Sequence, residues 1–322
     1  MNFIPLAFGE IISPTTAAYA LATIGLLMHF GFTGLVNFGQ AGFMAVGGYA
    51  FAITTVKLGW PLPFAILAVI VAGAAFAFVL GIPTLRLRAD YLSIVTIAAA
   101  EIIRISVKTS EISDVTGGST GINGAAKTFN ALNPIPDGSY GFGVLTYSAS
   151  EVWVRLVGWV LVALAALLVW LLIRSPWGRI VKGIREDEDA VRSLGKNVFS
   201  YKMQSLVIGG VIGALGGALF ILPRSLQPDN YGTQLTFFLY TIMLLGGVTT
   251  VFGPIIGAMI FWVVLSLSDG LLTLGVSSGA LPISSTQQGP IRLIIVGVAL
   301  ALLVIFRPQG ILGKKKEVFF SA

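Results

Sequence analysis

The chain has no cysteine and one histidine, His29, among 322 residues. The first absence excludes disulfides, Fe–S clusters and thiolate metal sites. The second leaves His29 without Asp, Glu or Cys at ligand spacing, so it reads as a packed or pore-lining side chain. Charge is scarce as well: 11% of residues are Asp, Glu, Lys or Arg, against about 25% in soluble domains. No Ser/His/Asp set, no HExxH and no pair of intramembrane carboxylates occurs, which argues against an intramembrane hydrolase. The C-terminal string GILGKKKE lacks the length and the closing Ser or Thr of a phosphate-binding loop, and no nucleotide site is expected elsewhere. The first residues carry no basic segment before their apolar run, so a cleaved signal peptide is not expected.

What the chain has is apolar length: 56% of residues are hydrophobic and mean hydropathy is +0.90. The apolar runs are continuous, not alternating over about ten residues, which excludes a membrane β-barrel. The reading is an all-α, polytopic integral membrane protein with about eight to ten transmembrane helices, each needing roughly 17–25 residues. Nine spans are placed at 15–32, 41–56, 62–82, 91–107, 152–173, 203–222, 235–246, 255–272 and 290–306. The seventh is short unless it continues into the turn GGVTTVFGP. The whole chain, 1–322, is taken as one transmembrane domain. Lys and Arg concentrate in the third loop (Arg86, Arg88), in 174–202 and in the tail 307–322 (Arg307, Lys314, Lys315, Lys316). With nine spans all three lie on one side, the cytoplasmic one. The loop 108–150 and the segment 223–234 then lie outside. The formal charge of +6 therefore says nothing about nucleic acid.

The most informative stretch is 174–202, RSPWGRIVKGIREDEDAVRSLGKNVFSYK, which holds 11 of the 34 charged residues. Ser175 is a candidate N-cap, Pro176 a first helical residue and Gly195 a stop. Ile180, Ile184, Val191 and Leu194 share one side at helical spacing, with Asp187 near them. Lys182 and Glu186, Arg185 and Asp189, and Glu188 and Arg192 form i,i+4 pairs, each worth about 0.2–0.5 kcal/mol. An amphipathic helix tethered between two spans should lie along the membrane or dock on a partner. A uniporter, channel or ion-coupled carrier would not need it; a permease driven by separate ATPase subunits would. A stand-alone ion-coupled carrier and a membrane scaffold remain alternatives.

Inside the spans, Gly209, Gly213 and Gly217 recur every four residues and imply close helix packing. Glu101 and Arg104 share a helix face at i,i+3 and read first as a structural pair. In GLVNFGQAGF, Asn37 and Gln40 lie at a Gly-rich helix break and can satisfy broken backbone or touch a solute. GGVTTVFGPIIG echoes that break after the seventh span, a pattern that can mark a transport path.

At this point the sequence resembles the branched-chain amino acid ABC transporter permeases of the LivM type, over nearly the whole chain. The resemblance is carried by TGLVNFGQAGFMAVGGYA (33–50), DYLSIVTIAAAEIIRI (90–105), TGGSTGI (116–122), SPWGRIVKGIREDEDAVRSLGKNVFSYK (175–202), LLGGVTTVFGPIIGA (244–258) and FRPQGILG (306–313). It implies a non-catalytic subunit in the bacterial inner (plasma) membrane that imports Leu, Ile, Val or related amino acids. The implied partners are a second permease of the LivH type, two ATPase subunits that bind the ATP, and an extracytoplasmic binding protein. No cofactor of its own is implied. Within the matching coupling motif stand Gly178, Arg179, Arg185, Glu186, Asp187, Ala190, Ser193, Leu194 and Gly195, with Ile184 on the apolar face. Asn37, Gln40 and Glu101 are candidates for the translocation path. Related urea permeases share much of the pattern, so urea or an amide is the alternative solute.

Overall fold

The structure, a computed structural model, describes residues 3–87, 89–278, 284–306 and 309–313. Its helices are α1 (Phe3–Gly9), α2 (Pro14–Leu26), α3 (Gln40–Ala52), α4 (Leu62–Thr84), α5 (Ala89–Ser106), α6 (Ala149–Arg174), α7 (Pro176–Glu186), α8 (Glu188–Ser193), α9 (Val198–Phe220), α10 (Thr233–Gly246), α11 (Gly253–Ser277) and α12 (Ser285–Phe306). A π-helical turn extends α2 through Leu27–Phe32 and another extends α3 through Ile53–Lys57. Helix starts follow local chemistry. Ser13 Oγ accepts the Thr16 N–H at 3.1 Å and Pro14 opens α2. Ser148 and Glu151 form a reciprocal capping box at the start of α6.

Each of the nine expected spans has a helix in its place. Among the described residues, five helices are long and apolar enough to cross a membrane: Pro14–Phe32, α4, α6, α9 and α11. The seventh span stays short. Gly247, at φ +120°, ends α10 before the turn. The architecture is thus the all-α, polytopic membrane fold read from the sequence.

Burial separates inner from outer helices. In the most apolar 18-residue stretch of each helix, 89% is buried in Pro14–Phe32 and 72% in α9, against 33% in α4 and in α6 and 28% in α11. α9 is the hub and packs mainly on α2, α3 and α4. Glycines make this possible. A Cβ on Gly25 would overlap the Gly209 carbonyl and one on Gly209 the Gly25 carbonyl; Gly217 meets the Met44 carbonyl in the same way. The exposed faces of α4 and α6 carry Phe64, Val71, Val79, Leu164 and Leu171, an apolar exterior that suits acyl chains, not water.

Polar segments sort to two ends. At one end lie the turn 85–87, α7 and α8, the turn 247–252 and residues 309–313. A cleft of about 790 Å³ separates Leu85–Leu87 from the Glu188–Lys202 segment, and Ile311 and Leu312 donate to the carbonyls of Leu245 and Gly246, both at 3.0 Å. At the other end, Ile122 and Leu226 exchange backbone hydrogen bonds at 3.0 Å, and Arg104 and Lys108 bind Asp229. Of the basic loops, Arg86 and the residues of 174–202 share the first end. Arg88, Arg307, Lys314, Lys315 and Lys316 lie outside the described residues. The loop 108–150 is more ordered than its composition suggests. It contains one-turn helices at Ser113–Thr116 and Ala126–Asn130 and a two-stranded antiparallel hairpin, β1 (Ser139–Phe142) with β2 (Leu145–Ser148), paired Ser139 to Ser148.

Candidate coupling site

The segment 174–202 folds back sharply from α6. Gly178 lies against the backbone of Ile173, where a Cβ would overlap it, so the reversal needs glycine. Ser175 caps α7, its Oγ 3.4 Å from the Gly178 N–H, with Pro176 at the first position. Gly178, Val181 and Ile184 are buried. Ile184 forms a small apolar cluster with Val191 and Val198, joined by Ile180 and Tyr201. Trp177 Nε1 donates to Gln204 Oε1 at 2.8 Å and ties α7 to α9.

The structure corrects the single amphipathic helix. Asp187 is extended (φ −155°, ψ 104°) and divides the segment in two. Its Oδ1 accepts the Ala190 N–H at 2.9 Å and caps α8, so Asp187 is an exposed cap and does not sit on the apolar side. The break resets the helical phase. Leu194 leaves the apolar face and stands 77% exposed. It also separates residues 185 and 189, so that pair does not form. Arg192 takes Asp189 at 2.7 Å and Glu188 at 2.9 Å, the second being the expected i,i+4 pair. The Lys182–Glu186 pair is absent too. Lys182 Nζ lies over the Phe32 ring at 5.9 Å, while Glu186 binds Arg185. Lys202 reaches back to Glu188. Gly195, at φ +75°, ends the segment as expected.

The motif residues therefore divide by direction. Arg179, Glu186, Asp187, Ala190, Ser193, Leu194 and Gly195 are exposed; Gly178 and Ile184 are buried. Arg185 turns inward: only 11% of its side chain is exposed, and its Nη1 donates to the Gly31 carbonyl at 2.7 Å.

Gly31 belongs to the broken span between α2 and α3. Residues 34–39 are not helical, and irregular backbone at membrane depth must be satisfied from its surroundings. The Phe38 N–H donates to Thr96 Oγ1 at 3.0 Å, the Ala41 N–H to Thr236 Oγ1 at 3.0 Å, and Tyr240 Oη to the Asn37 carbonyl at 3.0 Å. Asn37 Oδ1 accepts the Gly39 N–H at 2.8 Å, which fixes its amide, and its Nδ2 lies 3.0 Å from His29 Nδ1. His29 Nε2 is 3.1 Å from the Leu206 carbonyl and must donate there, so Nδ1 accepts. Gln40 Nε2 donates to the Ala22 carbonyl at 3.1 Å. Asn37, Gln40 and His29 are all buried. The two Gly-rich breaks touch. Gly31 has the Val248 carbonyl against it, and Phe38 stacks on Tyr240 at 4.5 Å between ring centroids.

Against known proteins, residues 11–306 match the family described as branched-chain amino acid transport system permease component. The chain belongs to that family of membrane permeases. The permease is 32% identical to the high-affinity branched-chain amino acid transport system permease protein LivM of Salmonella typhimurium, over 94% of this chain and 69% of that one. It is 26% identical to the probable LivM of Methanocaldococcus jannaschii, over 92% and 91% of the two chains. The corresponding permease protein LivH of Escherichia coli is 26% identical over 92% of each. The permease is a multi-pass protein of the cell membrane.

Glu101, the third candidate for the permease's path, stands apart from Asn37 and Gln40. Arg104 Nε reaches both of its carboxylate oxygens at 3.0 Å. Arg104 Nη1 also binds Asp229 Oδ1 at 2.6 Å, and Lys108 binds the same atom. This cluster links α5 to the segment before α10. The Lys108 hydrogen bond, helped by the Lys108 and Arg104 charges, holds the Asp229 carboxyl below the usual carboxylate range. Sequence reasoning missed Thr96, Thr236 and Tyr240. A Thr or Tyr in an apolar span gives no local sign that it caps a break in another helix.

Proposed function

We propose that the permease is one of two membrane subunits of an ATP-driven importer for branched-chain (Leu, Ile, Val) or related amino acids. Its second permease is a LivH-type chain, since both LivM and LivH proteins are among its relatives. An extracytoplasmic binding protein delivers the solute to the end that carries the 108–150 loop. Two ATPase subunits hold the ATP and dock on α7 and α8; this chain supplies no catalytic group and needs no cofactor of its own. The observation that carries the reading is the outward half of the coupling motif. Leu194 is 77% exposed, and Arg179, Asp187, Ala190 and Ser193 of the same motif are exposed as well. These exposed residues leave one face of α7 and α8 open to a soluble partner.

The solute site is transient and lies along an apolar route. Asn37 and Gln40 are engaged by protein partners in this structure, and loosening of the break frees their amides for the zwitterionic head. Glu101 joins the path at the outer end, where Arg104 holds it.

The test is co-purification from native membranes in mild detergent, with partners identified by mass. ATPase subunits should accompany the wild-type permease and be lost from Leu194→Asp and Arg179→Glu. A partner-free protein that still transports in liposomes would replace this reading with an ion-coupled carrier.

A further inference from the structure

Arg185 stands in the motif that faces the ATPase, yet its side chain points into the membrane domain. Its stem lies against Gly34, whose Cβ position is 3.2 Å from Arg185 Cγ and whose φ of +73° favours glycine. Its head donates to the Gly31 carbonyl at 2.7 Å. That carbonyl is a helix-end acceptor. In a continued α-helix it would receive the Leu35 N–H, but Leu35 bonds the His29 carbonyl instead, at 2.8 Å. C-terminal carbonyls left over in this way carry partial negative charge, and a cation from outside the helix both satisfies and complements them. Arg185 thus caps the end of α2 from a different helix. Its other nitrogens bind the Glu186 carboxylate, with Nε at 3.1 Å, so the inward charge is neutralised at the surface.

Gly31 is also where the two breaks meet, through the Val248 carbonyl. A few residues on, Asn37 holds His29 and Gly39 and is held by Tyr240. The geometry points to Arg185 as a positioning residue that transmits movement of α7 and α8 to the α2–α3 break, not as a docking contact. This rests on the coupling reading above. It differs from a route through α6 and α9, the helices that flank the segment in the chain. Those helices are joined to α7 by chain continuity, by Trp177–Gln204 and by the Ile184 cluster, and α9 touches the break on its own account through Ser205 at Thr33 and Leu206 at His29; Arg185 is a direct bond from α7 itself to the backbone at the break.

The test uses the permease with its second permease, ATPase pair and binding protein in proteoliposomes. Three quantities are read: ATPase subunits retained per permease, ATP hydrolysed, and solute accumulated per ATP. Arg185→Ala should keep the ATPase subunits and hydrolysis while solute per ATP falls about tenfold, the scale of one charge-assisted hydrogen bond. Arg185→Lys, which keeps a charged donor, should recover most of it. Arg185→Met fills the space against Gly34 but cannot donate, and carries the same expectation as alanine should the alanine variant fail to accumulate. Wild-type solute per ATP in the alanine or methionine variant would overturn the inference. So would loss of the ATPase subunits from those variants, which would make Arg185 a docking residue, or a lysine variant as defective as methionine. A wild-type complex whose uptake does not depend on ATP would instead sink the importer reading itself.

Discussion

Replacing Gly217 by alanine tests whether α9 is held by close backbone approach. A Cβ at 217 would overlap the Met44 carbonyl and lie against the Met44 backbone. Neither is the flexible end of a side chain, so α3 or α9 must shift along much of its length. Overpacking of this kind costs about 1–3 kcal/mol, and the better helix propensity of alanine returns up to about 1 kcal/mol. The net loss is roughly 1–2 kcal/mol, and about 2–4 °C per kcal/mol for a large chain gives an apparent midpoint lowered by several degrees. Gly297 in α12 is the matched control, because nothing among the described residues lies within 4 Å of its Cβ position; Gly297→Ala should melt at or slightly above the wild type. The assay is fluorescence-detected gel filtration after heating in detergent, at one fixed heating time because unfolding of such proteins is irreversible. Gly217→Ala melting with or above Gly297→Ala would refute the packing argument.

Asp187→Ala removes the cap of α8, at a cost of about 0.5–2 kcal/mol. It should raise protease sensitivity within 187–195 and weaken ATPase retention, while Asp187→Asn, still a good cap, keeps both; equal loss in the two variants would assign Asp187 a charge role at the interface. Asp229, lowered by Lys108 and Arg104, contributes above its unfolded value of about 3.9 and loses that contribution as pH falls through the lower folded value. A small difference in thermal midpoint between wild type and Asp229→Asn should therefore hold from pH 8 to about 5 and close only below about 4. Closure near neutrality would show that another group controls the outer link.

Local chemistry explains which parts of the fold were legible. Ser175, Pro176 and Gly195 act through their own backbone, so their roles can be read without neighbours. Long apolar runs placed the helices because a bilayer leaves the backbone no alternative. The division at Asp187 left a trace, since an N-cap aspartate followed by Glu188 and Asp189 is an acidic first turn; the longer amphipathic pattern over 176–195 outweighed it. The β1–β2 hairpin left one as well, as Gly143 and Val144 separate the two strands as a two-residue turn.

The direction of Arg185 left no such trace. It depends on Gly31, 154 residues earlier in the chain, and on a helix that ends in the membrane with a carbonyl to spare. The same holds for Thr96, Thr236 and Tyr240, whose partners belong to a break that no window around them contains. These long-range bonds all converge on residues 31–41, and a span broken there cannot persist in lipid without them. A change in α7 that withdraws Arg185 removes one of the polar contacts that hold that break in place. On the proposed reading the 174–202 segment has two faces with separate tasks: altering Leu194 and its exposed neighbours should change what binds, while altering Arg185 should change what binding accomplishes.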